Sequence, residues 1–346
     1  MKVGIIGLTK SGKTTVFNAL TGSSAQTGTF GVQKANLAVI KVPDKRVDFL
    51  SSIYKPKKTT YAEISFVDVP GPSDANASPL GGTQTIDLIK GVDTLAVVVR
   101  AFDRAAGDVV DPLKEFQAIE SELVVLDLIV LEKKLERLEK EHKKGTEHDL
   151  VKKCKSALDE EKPLRDLDLE ETETKPLSGF QLLSLKPVLI VANTGEDASI
   201  DLTALKEFAA ARSIPLVDFC GTIEMDIAEM SPEEQAEFLE GMGIAESART
   251  KFIRAAYELS NLISFLTVGE DEVRAWTIKK GTLAPQAGGK IHTDIGRGFI
   301  RAEVISFEDF RAIGSMVKAK EAGKVRLEGK QYEVQDGDII NFRFNV

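Results

Sequence analysis

The residues best suited to chemistry lie near the N-terminus, where Gly7 to Thr14 match the pattern G-x-x-x-x-G-K-[ST]. An apolar run, Val3 to Ile6, precedes the pattern and an amphipathic stretch, Thr15 to Leu20, follows it, so it lies between a predicted strand and a predicted helix. In such a loop, backbone N–H groups surround a phosphate, the lysine reaches the β- and γ-phosphates, and the last hydroxyl can ligate Mg²⁺. The sequence therefore predicts a loop that binds a nucleoside triphosphate. The residues expected to contact the nucleotide here are Gly7, Thr9, Lys10, Ser11, Gly12, Lys13, Thr14 and Thr15.

Two further motifs follow predicted strands. The tetrapeptide Asp68 to Gly71 ends one strand, which places the Asp68 carboxylate where it can hold a Mg²⁺-bound water and the Gly71 amide where it can sense a γ-phosphate. The tetrapeptide Asn193 to Glu196 follows another strand, at the sheet edge where bases bind. An ordinary strand-terminating turn is the alternative for this second motif. With the phosphate loop, these motifs predict Thr14 and, through a water, Asp68 as the residues that hold Mg²⁺. They predict Lys13 and Gly71 as catalytic residues, and Asn193, Thr194 and Glu196 as nucleotide-binding residues.

The elements that must position these motifs follow from hydrophobic periodicity. Strand-sized apolar runs alternate with helical or loop stretches, which is typical of an α/β fold with a largely parallel sheet. These runs are Val3 to Ile6, Ala35 to Lys41, Tyr61 to Val69, Thr94 to Arg100, Pro187 to Ala192 and Leu216 to Cys220. Residues 113–160 show three-and-four spacing interrupted at Gly145, which predicts an inserted antiparallel helical hairpin with a coiled-coil-like seam. Two packed helices within one domain are the alternative.

The pattern changes after Leu266, where short strands with frequent glycines predict a small separate α+β domain. We expect one short helix in it, from Phe307 to Glu321. The expected strands are Arg274 to Ile278, Phe299 to Ile305, Gln331 to Val334 and Ile339 to Phe344, with Trp276, Phe299, Ile305 and Phe342 in the core.

Composition limits the function classes. The chain has 346 residues, 42% of them apolar, which is enough for two or three globular domains. The net charge is −9, and residues 101–266 are strongly acidic, which argues against a DNA partner. The apolar runs are strand-sized and the N-terminus leads directly into a strand, so we expect a cytoplasmic protein without a membrane partner. Cys154 and Cys220 are far apart and indicate neither a disulfide framework nor a zinc site.

Several segments together resemble the YchF subfamily of Obg-like ATPases, over nearly the whole chain. The most specific of them is the tail from Val273 to Ile305, which is similar to that family's TGS domain. The other segments are Gly7 to Thr14, Asp68 to Gly71, Leu80-Gly81, Val97 to Asp103, Asn193 to Glu196, Phe252 to Leu259 and Asp336 to Asp338.

The resemblance implies a P-loop NTPase G domain over residues 1–112 and 161–266, a coiled-coil hairpin over 113–160, and a ubiquitin-like β-grasp TGS domain over 267–346. It implies Mg²⁺-dependent hydrolysis of a nucleoside triphosphate and a ribosome-linked role in translation or stress. Exposed-looking basic residues of the TGS-like tail are candidates for a ribosome-facing surface, with ordinary solvated charge as the alternative. They are Lys279, Lys280, Lys290, Arg297 and Arg301.

The motif Asn193 to Glu196 predicts that the protein binds ATP in preference to GTP and still accepts GTP. Guanine-specific relatives have an Asp that accepts protons from guanine N1 and N2, and adenine offers neither proton. Glu196 is one methylene longer and follows Gly195, which loosens the backbone, so its carboxylate can turn away from adenine instead of remaining unpaired against it. Asn193 can still bond N7, which both purines share, and Thr194 matches a family position that lines the adenine.

Three positions depart from the family pattern. Val32 stands where the family has a Thr ligand for Mg²⁺, with Thr27 or Thr29 as nearby substitutes, and Pro72 cannot orient an attacking water. Lys10 replaces an Asn that, in related NTPases, helps to coordinate K⁺. Its ammonium can supply the missing positive charge, although a solvent-facing lysine is the alternative. Two functions thus stay open: a slow ATPase that gates a ribosomal partner, or a non-hydrolysing nucleotide sensor, with a GTPase as a further alternative.

Overall fold

The computed structural model describes residues 1–22, 35–71, 78–104 and 109–345, which fall into two compact units. The first comprises Met1–Ile40 and Ser65–Leu259, and the second comprises Lys41–Ile64 and Ser260–Val346. The strands are β1 (Lys2–Ile6), β2 (Asn36–Lys41), β3 (Lys58–Thr60), β4 (Glu63–Asp68), β5 (Thr94–Ala101), β6 (Val188–Thr194), β7 (Leu216–Phe219), β8 (Leu262–Thr267), β9 (Glu272–Lys279), β10 (Phe299–Ser306), β11 (Arg326–Glu328) and β12 (Asp338–Phe344). The α-helices are α1 (Lys13–Thr21), α2 (Lys45–Tyr54), α3 (Thr83–Lys90), α4 (Pro112–Lys140), α5 (Thr146–Asp159), α6 (Glu171–Leu177), α7 (Thr203–Ala211), α8 (Gly221–Glu229), α9 (Pro232–Gly241), α10 (Ala248–Leu259), α11 (Ala284–Ile291), α12 (Thr293–Arg297), α13 (Phe307–Ile313) and α14 (Met316–Glu321). Among these described helices, none combines the length and the apolar character needed to span a bilayer.

The first unit is built on a sheet with the strand order β2-β4-β1-β5-β6-β7. The pairs β1–β4, β1–β5, β5–β6 and β6–β7 are all parallel. β5 is buried along its whole length and β6 along nearly all of it, which explains why both appear as continuous apolar runs. The six runs predicted from sequence match these strands within two residues at each end. The predicted α/β class with a parallel-rich sheet is confirmed.

The helical hairpin is formed by α4 and α5, with the turn at Gly145, whose φ is 147°. Ion pairs Lys134–Glu147 (2.6 Å) and Glu132–Lys155 (3.5 Å) show that the helices run antiparallel. The two ends of α4 serve different cores. Its first turns pack Phe116, Ile119 and Leu123 into the sheet core, and its later turns pack Leu131 and Leu138 against Val151, Cys154 and Leu158 of α5. The hairpin therefore continues directly from the sheet within the first unit.

A buried carboxylate fixes α4 to the segment before β6. Asp127 lies on α4 and is only 2% exposed. It accepts hydrogen bonds from the backbone N–H groups of Leu183 (2.8 Å) and Ser184 (2.7 Å), and from the Ser184 hydroxyl (2.7 Å). Burial raises the pKa of Asp127, and these hydrogen bonds oppose that rise. A polar residue on the apolar face of a helix is thus stabilised because all its partners are supplied.

The second unit contains a sheet with the strand order β11-β10-β12-β8-β9-β3. The predicted α+β character of the tail is present, but several details differ. Gln331 to Val334 is not a strand, and β11, at one edge of the sheet, was not predicted. The predicted single helix is two helices, because Gly314 ends α13 in the left-handed region with φ of 73°. Two helices, α11 and α12, were not predicted at all.

Residues 41–64 belong to this second unit, whereas the resemblance implied a G domain over all of residues 1–112. β3 pairs in parallel with β9, and α2 packs Phe49 edge-on to Phe307 at 5.6 Å and stacks Tyr54 on Phe310 at 5.9 Å. Arg46 also forms an ion pair with Asp336 at 2.7 Å. This long-range pairing leaves no local signal in the sequence.

The core of the second unit is aromatic. Phe299, Ile305 and Phe342 are buried, as predicted from sequence. Trp276 is partly buried, with its ring stacked on Phe265 and covered by the Arg274 guanidinium at 3.8 Å.

Candidate functional site

The phosphate loop connects β1 to α1, as the sequence predicts. At Gly7 a β-carbon would lie 2.4 Å from the Val98 carbonyl oxygen. At Gly12 the backbone has φ of 88°, and a β-carbon would lie 2.0 Å from the Asn193 amide nitrogen. Larger side chains at either position would collide with these groups, so close approach requires both glycines, and Gly12 is also required by its left-handed backbone.

Lys13 is the first residue of α1 and points back along the loop. Its ammonium donates hydrogen bonds to the carbonyl oxygens of Gly7 (2.8 Å) and Leu8 (2.9 Å), and the residue is only 8% exposed. Burial lowers the pKa of Lys13 to about 8, against the opposing effect of the Asp68 and Glu115 carboxylates. Gly71 lies beside it, since a β-carbon there would be 3.0 Å from the ammonium nitrogen. The structure thus brings two predicted catalytic residues together.

Asp68 and Thr14 form the predicted metal side of the site. The Thr14 hydroxyl donates to Asp68 Oδ2 at 3.1 Å, and the Asn36 amide donates to the same oxygen at 3.1 Å. Burial raises the pKa of Asp68, while these two hydrogen bonds and the Lys13 charge lower it. Hydroxyl and carboxylate oxygens are ligands that Mg²⁺ prefers, so this donor set fits the ion.

Asn193 lies near the end of β6, where the sequence predicts that the nucleotide base binds. Its amide nitrogen donates to the Ser11 carbonyl at 3.0 Å, and its oxygen accepts the Gly221 N–H at 3.2 Å. One amide proton remains for a ligand. Asn193 therefore fixes the phosphate loop to the start of α8 in addition to its predicted role toward the base.

The remaining residues of the base motif follow β6 in order. Thr194 ends the strand and is partly buried, and Glu196 is exposed and forms no ion pair among the described residues. Gly195 is not in the left-handed region; a β-carbon there would lie 3.4 Å from Phe102 Cβ and 2.9 Å from the Asp197 carboxylate. Close approach, rather than the loosened backbone we expected, accounts for this glycine.

Three residues of the site were not identified from sequence. Phe102 lies between the positions of Gly12 and Gly195, where an aromatic ring can contact a base. A β-carbon at Gly221 would lie 2.9 Å from Thr15 Cγ2, so a glycine is needed there. Asn36 follows an undescribed segment, and only its distance to Asp68 reveals it. A glycine after a strand, as at Gly221, was the available signal.

The remaining predicted residues lie within the phosphate loop or outside the described residues. Lys10 is exposed at the apex of the loop with φ of 66°, and Ser11 is 1% exposed with no hydrogen-bond partner for its hydroxyl among the described residues. Thr9 lies 3.6 Å, at Oγ1, from a β-carbon built on Gly71. Thr27, Thr29, Val32 and Pro72 lie outside the described residues.

A parallel-rich sheet with a phosphate loop after β1, a carboxylate at the end of β4 and an amide at the end of β6 defines a P-loop NTPase of the G-domain class. Comparisons with known proteins agree. A family model described as "50S ribosome-binding GTPase" matches residues 2–194, and the model YchF-GTPase_C, described as a protein of unknown function, matches residues 262–345.

Full-length relatives are similar along the whole chain. Ribosome-binding ATPase YchF of Bacillus subtilis is 40% identical over 365 residues, with 100% of both chains covered. The protein of the same name from Escherichia coli O157:H7 is 40% identical, covering 100% of this chain and 99% of its own length. The solved structure of the Schizosaccharomyces pombe YchF GTPase has a TM-score of 0.89 and 30% identity, covering 99% of this chain and 97% of its own. The chain belongs to the YchF family.

Proposed function

We propose that the protein is a Mg²⁺-dependent nucleoside triphosphatase that binds ATP in preference to GTP, hydrolyses it slowly, and acts as a nucleotide-gated regulator associated with the ribosome. One observation carries the proposal. Lys13, Thr14 and Asp68 converge on one side of the phosphate loop, and Asn193 lies on the other. A protein that only sensed nucleotide would have less need of Lys13, Thr14 and Asp68 in this arrangement.

The roles follow from this chemistry. Lys13 leaves the carbonyl oxygens of its own loop to contact β- and γ-phosphate oxygens, and stabilises the charge that develops during transfer. Thr14 and, through water, Asp68 would hold Mg²⁺, which neutralises phosphate charge when bound. Asn36 keeps the Asp68 carboxylate in place. Gly71 offers a backbone amide beside Lys13 without a side chain to obstruct it.

The preference for ATP rests on Glu196 and Asn193. The relatives are named both ATPase and GTPase, so the base preference depends on this chain's own residues. Glu196 is exposed and unpaired among the described residues, so its carboxylate can stay in solvent when adenine is present. Asn193 has a proton left for N7, and Phe102 provides an aromatic surface. None of these groups requires the guanine N1 and N2 protons.

Single-turnover hydrolysis with excess protein tests the proposal. Labelled ATP and labelled GTP are followed in parallel, with and without Mg²⁺. We expect Mg²⁺-dependent ATP hydrolysis far below the roughly 1–100 s⁻¹ typical of kinases. Binding of ATP without any hydrolysis would support the sensor alternative, and faster hydrolysis of GTP would support the GTPase alternative.

Lys10 is proposed as a built-in positive charge beside the phosphates. Its backbone is in the left-handed region, which Asn tolerates better than Lys, so Lys10→Asn is a variant the loop accepts. We expect similar ATP hydrolysis in K⁺ and Na⁺ for the unmodified protein, and slower, K⁺-stimulated hydrolysis for Lys10→Asn. The measurement is the single-turnover rate in each salt at equal ionic strength. Strong K⁺ stimulation of the unmodified protein would refute this role.

Ribosome association is proposed through the hairpin, residues 113–160, and the TGS-like domain, residues 267–346, and it implies a cytoplasmic location. The support is that relatives covering the whole chain are named ribosome-binding. In the second unit, a set of basic side chains is exposed, and none of them forms an ion pair with another described residue. They are Lys279, Lys280, Lys290, Arg297 and Arg301.

Charge reversal tests this surface. Replacing Lys279, Lys280 and Arg297 by Glu should reduce co-sedimentation with ribosomes by about tenfold, because contacts to RNA phosphates become repulsive. A matched triple reversal at Lys55, Lys318 and Lys330, which are also exposed, should have little effect. Equal sedimentation of both variants and the unmodified protein would remove this surface from the proposal.

A further inference from the structure

We propose that Arg100 and Glu115 form a positioning pair that fixes the end of β5 beside the base-binding residues, and so ties nucleotide binding to the first turn of α4, the helix that builds the hairpin. The inference rests on nucleotide binding as proposed above. Both residues lie outside the phosphate loop and outside the motif Asn193 to Glu196.

The backbone N–H of Arg100 bonds to a side chain instead of to a neighbouring strand. β1 pairs with β5 only as far as Ile6 and Val97, where the chain turns into the phosphate loop. On the other side, β6 pairs with β5 through to Ala101. The Arg100 N–H is instead bonded to the Glu115 carboxylate at 2.9 Å. A helix side chain thus takes the place of a strand partner for a buried donor.

The side chains close the arrangement. The Arg100 Nε is 3.4 Å from the other Glu115 carboxylate oxygen, and Arg100 Nη2 donates to the Val109 carbonyl at 3.3 Å. The Arg100 and Glu115 side chains are only 10% and 17% exposed. Because both charges are largely removed from water, each depends on the other, and neither can move alone. Arg100 thereby holds residues on both sides of the connection from β5 to α4.

The pair lies next to the nucleotide-binding residues. Arg100 is in register with Asn193, and Ala101 is in register with Thr194. Phe102 follows directly and approaches Gly195. Displacing the end of β5 would therefore move the residues that contact the base, whereas the hydrogen bonds of Lys13 to Gly7 and Leu8 involve neither Arg100 nor Glu115.

Two ligands separate these effects: a fluorescent ATP analogue, and inorganic tripolyphosphate, which has no base and is measured by displacing the analogue. We expect Glu115→Ala to weaken binding of the analogue roughly tenfold, while the affinity for tripolyphosphate stays within about twofold. Glu115→Gln keeps one acceptor oxygen and should recover most of the lost affinity. Gln117→Ala, which removes an exposed side chain from the same part of α4, should change neither.

The outcomes are distinct. The inference is overturned if Glu115→Ala binds the analogue as tightly as the unmodified protein. It is also overturned if the affinities for both ligands fall equally and the Tm is lowered, because the pair is then purely structural. If Glu115→Ala does not fold, the double variant Arg100→Met/Glu115→Leu replaces the charges by apolar groups and must show the same selective loss. Failure of the unmodified protein to bind the analogue would overturn the proposed function itself, and this inference with it.

Discussion

Lys13→Ala should reduce single-turnover ATP hydrolysis by at least about 100-fold, because it removes the only cation among the described residues that is hydrogen bonded within the phosphate loop. Binding of ATP should also weaken, since the ammonium contacts the ground-state phosphates as well. The substitution removes a buried charge, and it also leaves the Gly7 and Leu8 carbonyl oxygens without this donor. Because these two effects on stability oppose each other, we expect the protein to fold with only a small change in Tm.

The control for this prediction is Lys152→Ala, which removes an exposed lysine from α5 and should leave the rate unchanged. Thermal unfolding of each variant shows that the site, rather than the fold, has been altered. A Lys13→Ala protein that is folded and hydrolyses ATP at the unmodified rate would mean that the phosphate loop is not the catalytic site.

Asp127→Ala should destabilise the protein by about 3 kcal/mol. The change leaves the backbone N–H groups of Leu183 and Ser184 buried without an acceptor, and each such group costs about 1–3 kcal/mol. Release of a buried charge offsets part of that cost, as the raised pKa of Asp127 indicates. The measurement is the free energy of unfolding in urea.

Two variants on the same helix calibrate this value. Asp127→Asn keeps one acceptor oxygen and should lose less stability than Asp127→Ala. Ser121→Ala alters an exposed position of α4 and should stay within about 0.5 kcal/mol of the unmodified protein. If Asp127→Ala lowers the free energy of unfolding by less than about 0.5 kcal/mol, the segment before β6 does not depend on this carboxylate.

The parts of the fold that the sequence predicts well are those with local signals. The strands of the first sheet are continuous apolar runs, and the turn at Gly145 separates two helical patterns, so their positions follow from periodicity. The phosphate loop is equally clear because one short segment supplies both the strand-to-helix context and the chemistry.

The parts that could not be predicted depend on contacts between distant residues. β3 pairs with β9, which lies more than two hundred residues later in the chain, and nothing in residues 41–64 marks that partner. Asp127 appears in sequence as a polar interruption of an apolar stripe, and only the N–H groups of Leu183 and Ser184 explain it. Asn36 and Glu115 are likewise ordinary polar residues until the fold brings them to Asp68 and Arg100.

Displacement of a fluorescent ATP analogue by unlabelled ATP and GTP, in Mg²⁺ and at fixed salt, tests the central claim most directly. Exposed Glu196 and the remaining Asn193 proton predict that ATP displaces the analogue at a lower concentration than GTP, with GTP still competing at higher concentration. Replacing Glu196 by Asp should narrow the difference, because the shorter carboxylate is held closer to the base. A preference for GTP of about tenfold or more in the unmodified protein would contradict the account.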